Sequence, residues 1–356
     1  MAGSVRVGIV GMGIGRPNAR AIARNPRGEV VALCDLVEER MQEFAPELPG
    51  EVKCYTDYKK MCRDPDIDAV FVGTPNQLHV PVALEAVRRD KHVLVTKPLA
   101  DSESAAARLV KAAEEAGVVN MMSLSTRFGA PCMYLQEKMK QGYFGTLYYA
   151  RARSVRRNGI PSWSLGFIQQ GGGAFRDMGV HVLDAAWSIM GRPRPVAATG
   201  VSGARFGPYG RGYSGPTPED VYRQFAADDY AGGFIRFENG VGLQVESFWA
   251  SHQPPEVQIE LFGTEAGARL NPLTLYRTEN ADPRHPAAEQ DIHVNLKKGP
   301  EVWDHIAAHF IECILDGMAC TAPLRHGLQV QQMMEALLRS AEMGKEVRMR
   351  NYKEGA

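Results

Sequence analysis

The chain has 356 residues, enough for two domains that each bury a core. Lys plus Arg equals Asp plus Glu at 41 each, which leaves no global basic field for nucleic acid or an anionic membrane. No apolar run approaches the length of a membrane span, and Met1-Ala2-Gly3-Ser4 enters a strand at once, leaving no room for a signal peptide. The cysteines at 34, 54, 62, 132, 313 and 320 are scattered and make no C-x-x-C, so reduced thiols in a cytoplasmic protein are expected rather than a disulfide framework.

In chain order, Val5–Val10 reads as a buried strand, followed by the turn Gly11-Met12-Gly13-Ile14-Gly15-Arg16 and a helix from Pro17 to Arg24. Backbone without side chains can approach a pyrophosphate, and the next helix offers its N-terminal N–H groups. Gly11, Gly13, Ile14 and Gly15 are therefore expected at a dinucleotide, although the third glycine position of the fingerprint falls on Arg16. Val30–Cys34 is the second strand and ends at Asp35. A carboxylate there would accept the ribose hydroxyls and repel a 2′-phosphate. NAD is thus favoured over NADP, with Arg40 as the one cation a helical turn away, and Asp35 could also cap the helix Val37–Phe44.

Ala69–Val72 is another strand, ending in Gly73-Thr74-Pro75-Asn76-Gln77-Leu78-His79 before a helix at Val80–Arg89. Thr74, Pro75 and Asn76 are expected to line the cofactor; His79 either joins them or caps its helix. The strand His92–Val95 runs into Thr96-Lys97-Pro98, where proline removes a donor and fixes φ. Lys97 is thereby presented where a sheet ends, the edge at which open α/β sheets bind ligands. Ser102–Ala116 reads as a helix and Val118–Met122 as the last strand of the series. Alternating βα units imply a parallel, doubly wound sheet over residues 1–125, and a second α/β domain over 126–356 whose terminal helix could pack back on the first.

After Arg127 the texture changes. A helix, Pro131–Lys140, precedes long β-type runs at Thr146–Val155, Val196–Val201, Gly233–Phe237, Gly242–Trp249 and Val257–Phe262, which predict a large, mostly antiparallel sheet. The glycine-, proline- and tyrosine-rich stretch Gly203–Pro218 reads as a loop. Helices are expected near Trp303–Asp316 and Gly327–Met343.

The other chemical signal is Gly171-Gly172-Gly173-Ala174-Phe175-Arg176-Asp177-Met178-Gly179-Val180-His181-Val182-Leu183-Asp184. On an α-helix, Asp177, His181 and Asp184 share a face. An aspartate beside a histidine orients the ring and supports its protonated form, a pair suited to taking a hydroxyl proton. Gly179 costs helix stability, so something must approach it closely.

Together these residues resemble the glucose–fructose oxidoreductase / inositol dehydrogenase / MocA (Gfo/Idh/MocA) family over nearly the whole chain. The carriers are the glycine turn, Thr74-Pro75-Asn76 with His79, Lys97-Pro98, the triple glycine with Asp177, Gly179, His181 and Asp184, and the terminal helix with Gly327-Leu328-Gln329, Ala336 and Ser340-Ala341. The resemblance implies a Rossmann domain and a sheet domain that often forms the subunit interface, hence a homodimer or homotetramer. It also implies Lys97, Asp177 and His181 as catalytic residues that touch the substrate, with His181 the base, Asp177 its orienter and Lys97 steadying the hydroxyl and reaching the cofactor. The substrate would be a sugar, sugar derivative or cyclitol, oxidised at a secondary hydroxyl. NAD-assisted glycoside cleavage and a non-catalytic NAD-dependent sugar sensor are the alternatives. Two departures stand out: Thr96 where the family usually has glutamate, and a glycine turn one residue tighter than in many members.

Arg127 either faces the cleft and touches substrate or pairs at the domain junction. Trp163 either stacks on a sugar ring or packs on the core. His305 and His309 have a zinc-like spacing, but Ile306 stands where a zincin has glutamate and no third ligand is apparent, so no metal is expected.

Overall fold

The computed structural model describes residues 3–162, 165–279, 284 and 287–349. The chain divides into two compact units. One comprises residues 1–128 and 299–331, the other 129–298 and 332–356.

In the first unit, six parallel strands form a sheet in the order β3-β2-β1-β4-β5-β6. They are β1 (Val5–Val10), β2 (Gly28–Cys34), β3 (Lys53–Tyr55), β4 (Ala69–Val72), β5 (His92–Thr96) and β6 (Asn120–Ser123). This is the doubly wound order, with its switch point between β1 and β4. The central strands carry apolar side chains on both faces because helices cover both: every residue of β4 is buried, and so are Val93, Leu94, Val95 and Thr96 of β5. β3 has no apolar pattern and was not legible; it forms at the sheet edge against Ala32–Cys34. The helix after β4 starts at Asn76 rather than at Val80, with Pro75 at its N-cap position.

Residues 299–331 were expected in the second domain but group with the first. Their helix Val302–Leu315 packs on the helix Gly15–Arg24 and on β1. Arg24 donates to Asp304 Oδ1 at 2.9 Å and Arg27 pairs with Asp316 at 2.7 Å. Pro323 bridges to Met121 on β6, and the Met122 N–H donates to Ala322 O at 2.8 Å.

In the second unit the sheet runs β14-β13-β12-β11-β7-β10-β9-β8-β15. Its strands are β7 (Leu147–Val155), β8 (Pro195–Gly203), β9 (Tyr230–Phe237), β10 (Gly242–Phe248), β11 (Glu256–Gly263), β12 (Gly267–Arg269), β13 (Thr274–Glu279), β14 (Ala288–His293) and β15 (Val347–Arg348). All neighbours are antiparallel except β10 with β7. β9 and β10 form the hairpin signalled by Glu238-Asn239-Gly240, with Gly240 at φ +83°.

The helix Val180–Ile189 packs on β7 and β11, where Ala150, Ala152 and Ser154 point inward. The opposite face carries half-buried aromatic pairs: Tyr149 with Phe234 (6.0 Å between ring centroids) and Tyr230 with Phe248 (5.7 Å). No helix among the described residues is long and apolar enough to cross a membrane. None of the six cysteines is in a disulfide.

Candidate active site

In the first unit the C-terminal ends of β1, β2, β4, β5 and β6 converge. Gly11 adopts φ +92°, and a Cβ there would lie 2.5 Å from Gly73 O, so the turns after β1 and β4 touch through bare backbone. Gly13, by contrast, faces open space. Asp35, with its side chain only 10% exposed, accepts the Met12 N–H at 2.7 Å through Oδ2 and the Val37 N–H at 3.0 Å through Oδ1. It ties the glycine turn to the segment before the next helix, Glu38–Phe44, whose N-cap position is Val37 with no side-chain cap bond, so the expected cap by Asp35 does not form. Arg40 lies 3.9 Å away, and Leu36 beside it is 84% exposed.

His79 is fully buried. Its Nδ1 lies 2.7 Å from Pro98 O and its Nε2 2.7 Å from Thr74 O, so the ring clasps the loops after β4 and β5. A neutral ring donates to only one of these carbonyls. Burial pushes His79 below the usual histidine range; the two carbonyls oppose that shift and the Lys97 ammonium adds to it. Burial is the largest of these effects, so the neutral ring is the form we assign. Expected at the cofactor or as a helix cap, His79 instead presents no nitrogen to the surface and positions the backbone of Thr74 and Pro98.

Within Val93–Ala100 only Lys97 escapes full burial. The strand ends on either side of it carry hydroxyls without partners: Thr74 Oγ1 after β4, and Ser123 Oγ on β6, whose residue pairs with Thr96. A buried hydroxyl with no acceptor costs free energy unless something fills the site. Arg127 is 2% exposed; its Nη1 donates to Thr321 O at 2.7 Å and lies 3.1 Å from His326 Nδ1. Both of these partners lie in its own unit.

The second unit supplies the Asp177 and His181 segment. Phe175–Gly179 is a π-helical turn that leads into the helix Val180–Ile189. The expected close approach at Gly179 is made by the Phe175 ring, 2.3 Å from where a Cβ would stand. The wider turn changes the angular phase, and the expected common face splits: Asp184 is 1% exposed and buried, while Asp177 and His181 stay half-exposed. From Met178 to Met190, His181 is the one residue that is not buried.

The π turn is anchored on β10 and on the segment before β9. Ser247 Oγ donates to Ala174 O at 2.8 Å, the Ala174 N–H to Asp228 O at 2.9 Å, and the Phe175 N–H to Asp228 Oδ2 at 3.0 Å. Gly173 sits at φ +112°, and a Cβ there would fall 2.1 Å from Asp228 Oδ1. Burial pushes the Asp228 carboxyl up to about 6, against the pull of the Phe175 N–H and Arg176. Next to it Asp229 accepts the N–H groups of Arg205, Phe206 and Gly207 at 2.7–3.0 Å, holding the start of the glycine-rich loop. The indole N–H of Trp249 donates to Asp177 Oδ2 at 3.0 Å. Neither Asp228, Asp229 nor Trp249 was singled out in the sequence; only the end of a strand marked Trp249. Trp163, expected either to stack on a sugar or to pack on the core, lies outside the described residues.

His309 meets two thiols rather than His305: one nitrogen and the sulfurs of Cys313 and Cys320 lie within 4.8 Å of one another. Its Nε2 already accepts the Thr321 N–H at 2.9 Å, which makes the trio a hydrogen-bonded knot.

Comparison with known proteins decides the family. Residues 5–124 match the model described as an oxidoreductase family with an NAD-binding Rossmann fold, and residues 132–269 match the GFO/IDH/MocA C-terminal domain. The chain is 31% identical to a 1,5-anhydro-D-fructose reductase of Ensifer adhaerens over 73% of its own length and 74% of the relative's. This chain belongs to the Gfo/Idh/MocA family of oxidoreductases. It is also 28% identical to the D-glucoside 3-dehydrogenase of Escherichia coli (strain K12) across 97% of both chains. In fold it resembles a levoglucosan dehydrogenase solved with NADH and levoglucosan: TM-score 0.82, 22% identity, 98% of this chain and 100% of that one.

Residues 5–124 carry the family's NAD-binding Rossmann fold, and the first unit fits that cofactor. Open space lies before Gly13, Thr74 Oγ1 and Ser123 Oγ lack partners, and the Asp35 carboxylate sits at the end of β2.

Proposed function

We propose that this oxidoreductase oxidises a secondary hydroxyl on a sugar, sugar-derivative or cyclitol ring to a ketone. When bound, NAD supplies the hydride acceptor at nicotinamide C4. Gly11, Gly13, Ile14, Gly15, Asp35, Thr74, Pro75 and Asn76 hold it in this reading. His181 takes the hydroxyl proton, Asp177 orients the imidazole and stabilises the imidazolium, and Lys97 donates to the same oxygen as its charge develops. The observation that carries the reading is the exposure of His181 in an otherwise buried helix, one turn after a carboxylate held by a buried indole. A structural histidine in that helix would be buried like its neighbours.

The relatives support the substrate class. They include, besides the glucoside dehydrogenase, a levoglucosan dehydrogenase of Pseudarthrobacter phenanthrenivorans (27% identical over 95% of this chain). Both act on ring sugars or their anhydro forms by name. The aromatic face of the second-domain sheet is the surface through which we expect a homodimer or homotetramer. A panel of cyclitols, aldoses, anhydrosugars and glycosides, scored for NADH formation with NAD and NADP side by side, tests the assignment. Net NADH from ring polyols supports it. Glycoside cleavage without net NADH would replace it with redox-assisted cleavage.

A further inference from the structure

We infer that Trp249 is a positioning residue for catalysis: its indole N–H fixes the Asp177 carboxylate and, through it, the ring of His181. The inference rests on the assignment of Asp177 and His181 proposed above.

Trp249 is wholly buried, at the point where β10 leaves the sheet. Its ring packs among Ile160, Met178, Tyr213 and Ala250, an apolar cluster that a phenylalanine would satisfy. The N–H is the part such packing does not need. A buried indole must find an acceptor, and here the acceptor is the one carboxylate that lies a turn before His181.

Backbone bonds hold the ring in place. The Trp249 N–H donates to Asp229 O at 2.9 Å, and two residues earlier Ser247 Oγ holds Ala174 O at 2.8 Å. The strand therefore grips the π turn at its start and at Asp177. A π turn has one more residue per hydrogen-bonded ring than an α turn. The indole bond gives the Asp177 carboxylate a fixed partner on the strand side. A fixed carboxylate presents its remaining lone pairs in one direction, which an imidazole needs if it is to meet a hydroxyl at hydrogen-bond distance.

Charged groups around this corner are Arg176 on the same turn, Asp184 further along the helix, and Asp228 and Asp229 on the segment before β9. Losing the N–H makes the Asp177 carboxylate more basic, which raises the proton affinity of the pair. The acid limb of the pH profile must then move to higher pH.

The test compares W249F with D177N and H181A, using NAD and the sugar or cyclitol that gives the fastest NADH formation. The expected result for W249F is a fall in kcat of roughly tenfold to a hundredfold, the worth of one hydrogen bond to a charged group. KM values should stay within about twofold, as for an interaction made in the transition state. The acid limb should shift upward. Wild-type kcat with an unmoved limb overturns the inference while leaving the proposed function intact. D177N and H181A turning over like wild type would sink that function and this role with it. An NMR measurement on protein labelled with 15N-tryptophan needs no stable W249F. The Trp249 indole resonance should titrate with the acid limb of kcat/KM and move in D177N; a resonance indifferent to both overturns the inference.

Discussion

Asp35 Oδ2 accepts the Met12 N–H at 2.7 Å, so the carboxylate at the end of β2 is bonded directly to the glycine turn after β1. The same group that would reject a 2′-phosphate also sets the shape of the turn. Leu36 next to it is 84% exposed, so a cation there requires no repacking. The double variant D35S/L36R should raise the NADP-to-NAD ratio of kcat/KM by about tenfold or more, with some loss of absolute activity from the broken turn bond. Steady-state kinetics with both cofactors checks this; an unchanged ratio would place Asp35 away from the ribose.

Lys97 is the one residue of Val93–Ala100 that is not buried, and its neighbours are held by His79. Lys97→Ala leaves those bonds intact. It should lower kcat by roughly 10²- to 10⁴-fold, the range of a positioned proton-transfer or oxyanion group. NAD affinity, followed by fluorescence titration, should change little. Near-normal turnover would remove Lys97 from the chemistry.

Asp228 predicts a pH dependence of stability. Its folded-state value of about 6 lies above the unfolded carboxylate value, so the fold favours the protonated form. The stability this confers is complete below the unfolded value and is lost as pH rises through about 6. Asp228→Asn keeps an acceptor for the Phe175 N–H and has no charge to bury. It should melt higher than wild type at pH 7–8, by about 1–3 kcal/mol, and show little difference near pH 4. Thermal melts at the two pH values decide it, and equal melting at neutral pH would contradict the account.

Gly173 stands at φ +112° against the same carboxylate. Gly173→Ala combines backbone strain with a clash on Asp228 and should cost about 2–4 kcal/mol. The variant should also lose turnover beyond what its stability explains, since the π turn bearing Asp177 starts two residues on. Chemical denaturation beside activity at low temperature separates the two effects.

Much of this was legible in the chain, because local pattern carried it. Buried apolar runs marked β1, β4 and β5; the glycine turn and Asp35 marked the switch point; and Glu238-Asn239-Gly240 marked the β9–β10 hairpin. The losses have physical causes. β14 is exposed along its whole length, and β15 has only two residues, so neither offers an apolar alternation to read. The segment 299–331 follows the second domain in sequence, and only its tertiary packing, on the helix Gly15–Arg24, β1 and β6, assigns it to the first unit. A helical period of 3.6 put Asp184 beside His181; the π turn before it and the burial of Asp184 are tertiary outcomes. Trp249 and Asp177 are 72 residues apart, and no spacing rule connects them.

The central claim is hydride removal from a ring carbon bearing a hydroxyl, assisted by Lys97 and His181. A substrate identified from the panel and deuterated at the reacting ring carbon tests it most directly, with the label followed by mass spectrometry. The account predicts deuterium in the NADH formed by wild type, a primary isotope effect on turnover, and little labelled NADH from K97A or H181A. Unlabelled NADH, or a cleaved glycoside that keeps its deuterium with no net NADH, would contradict it.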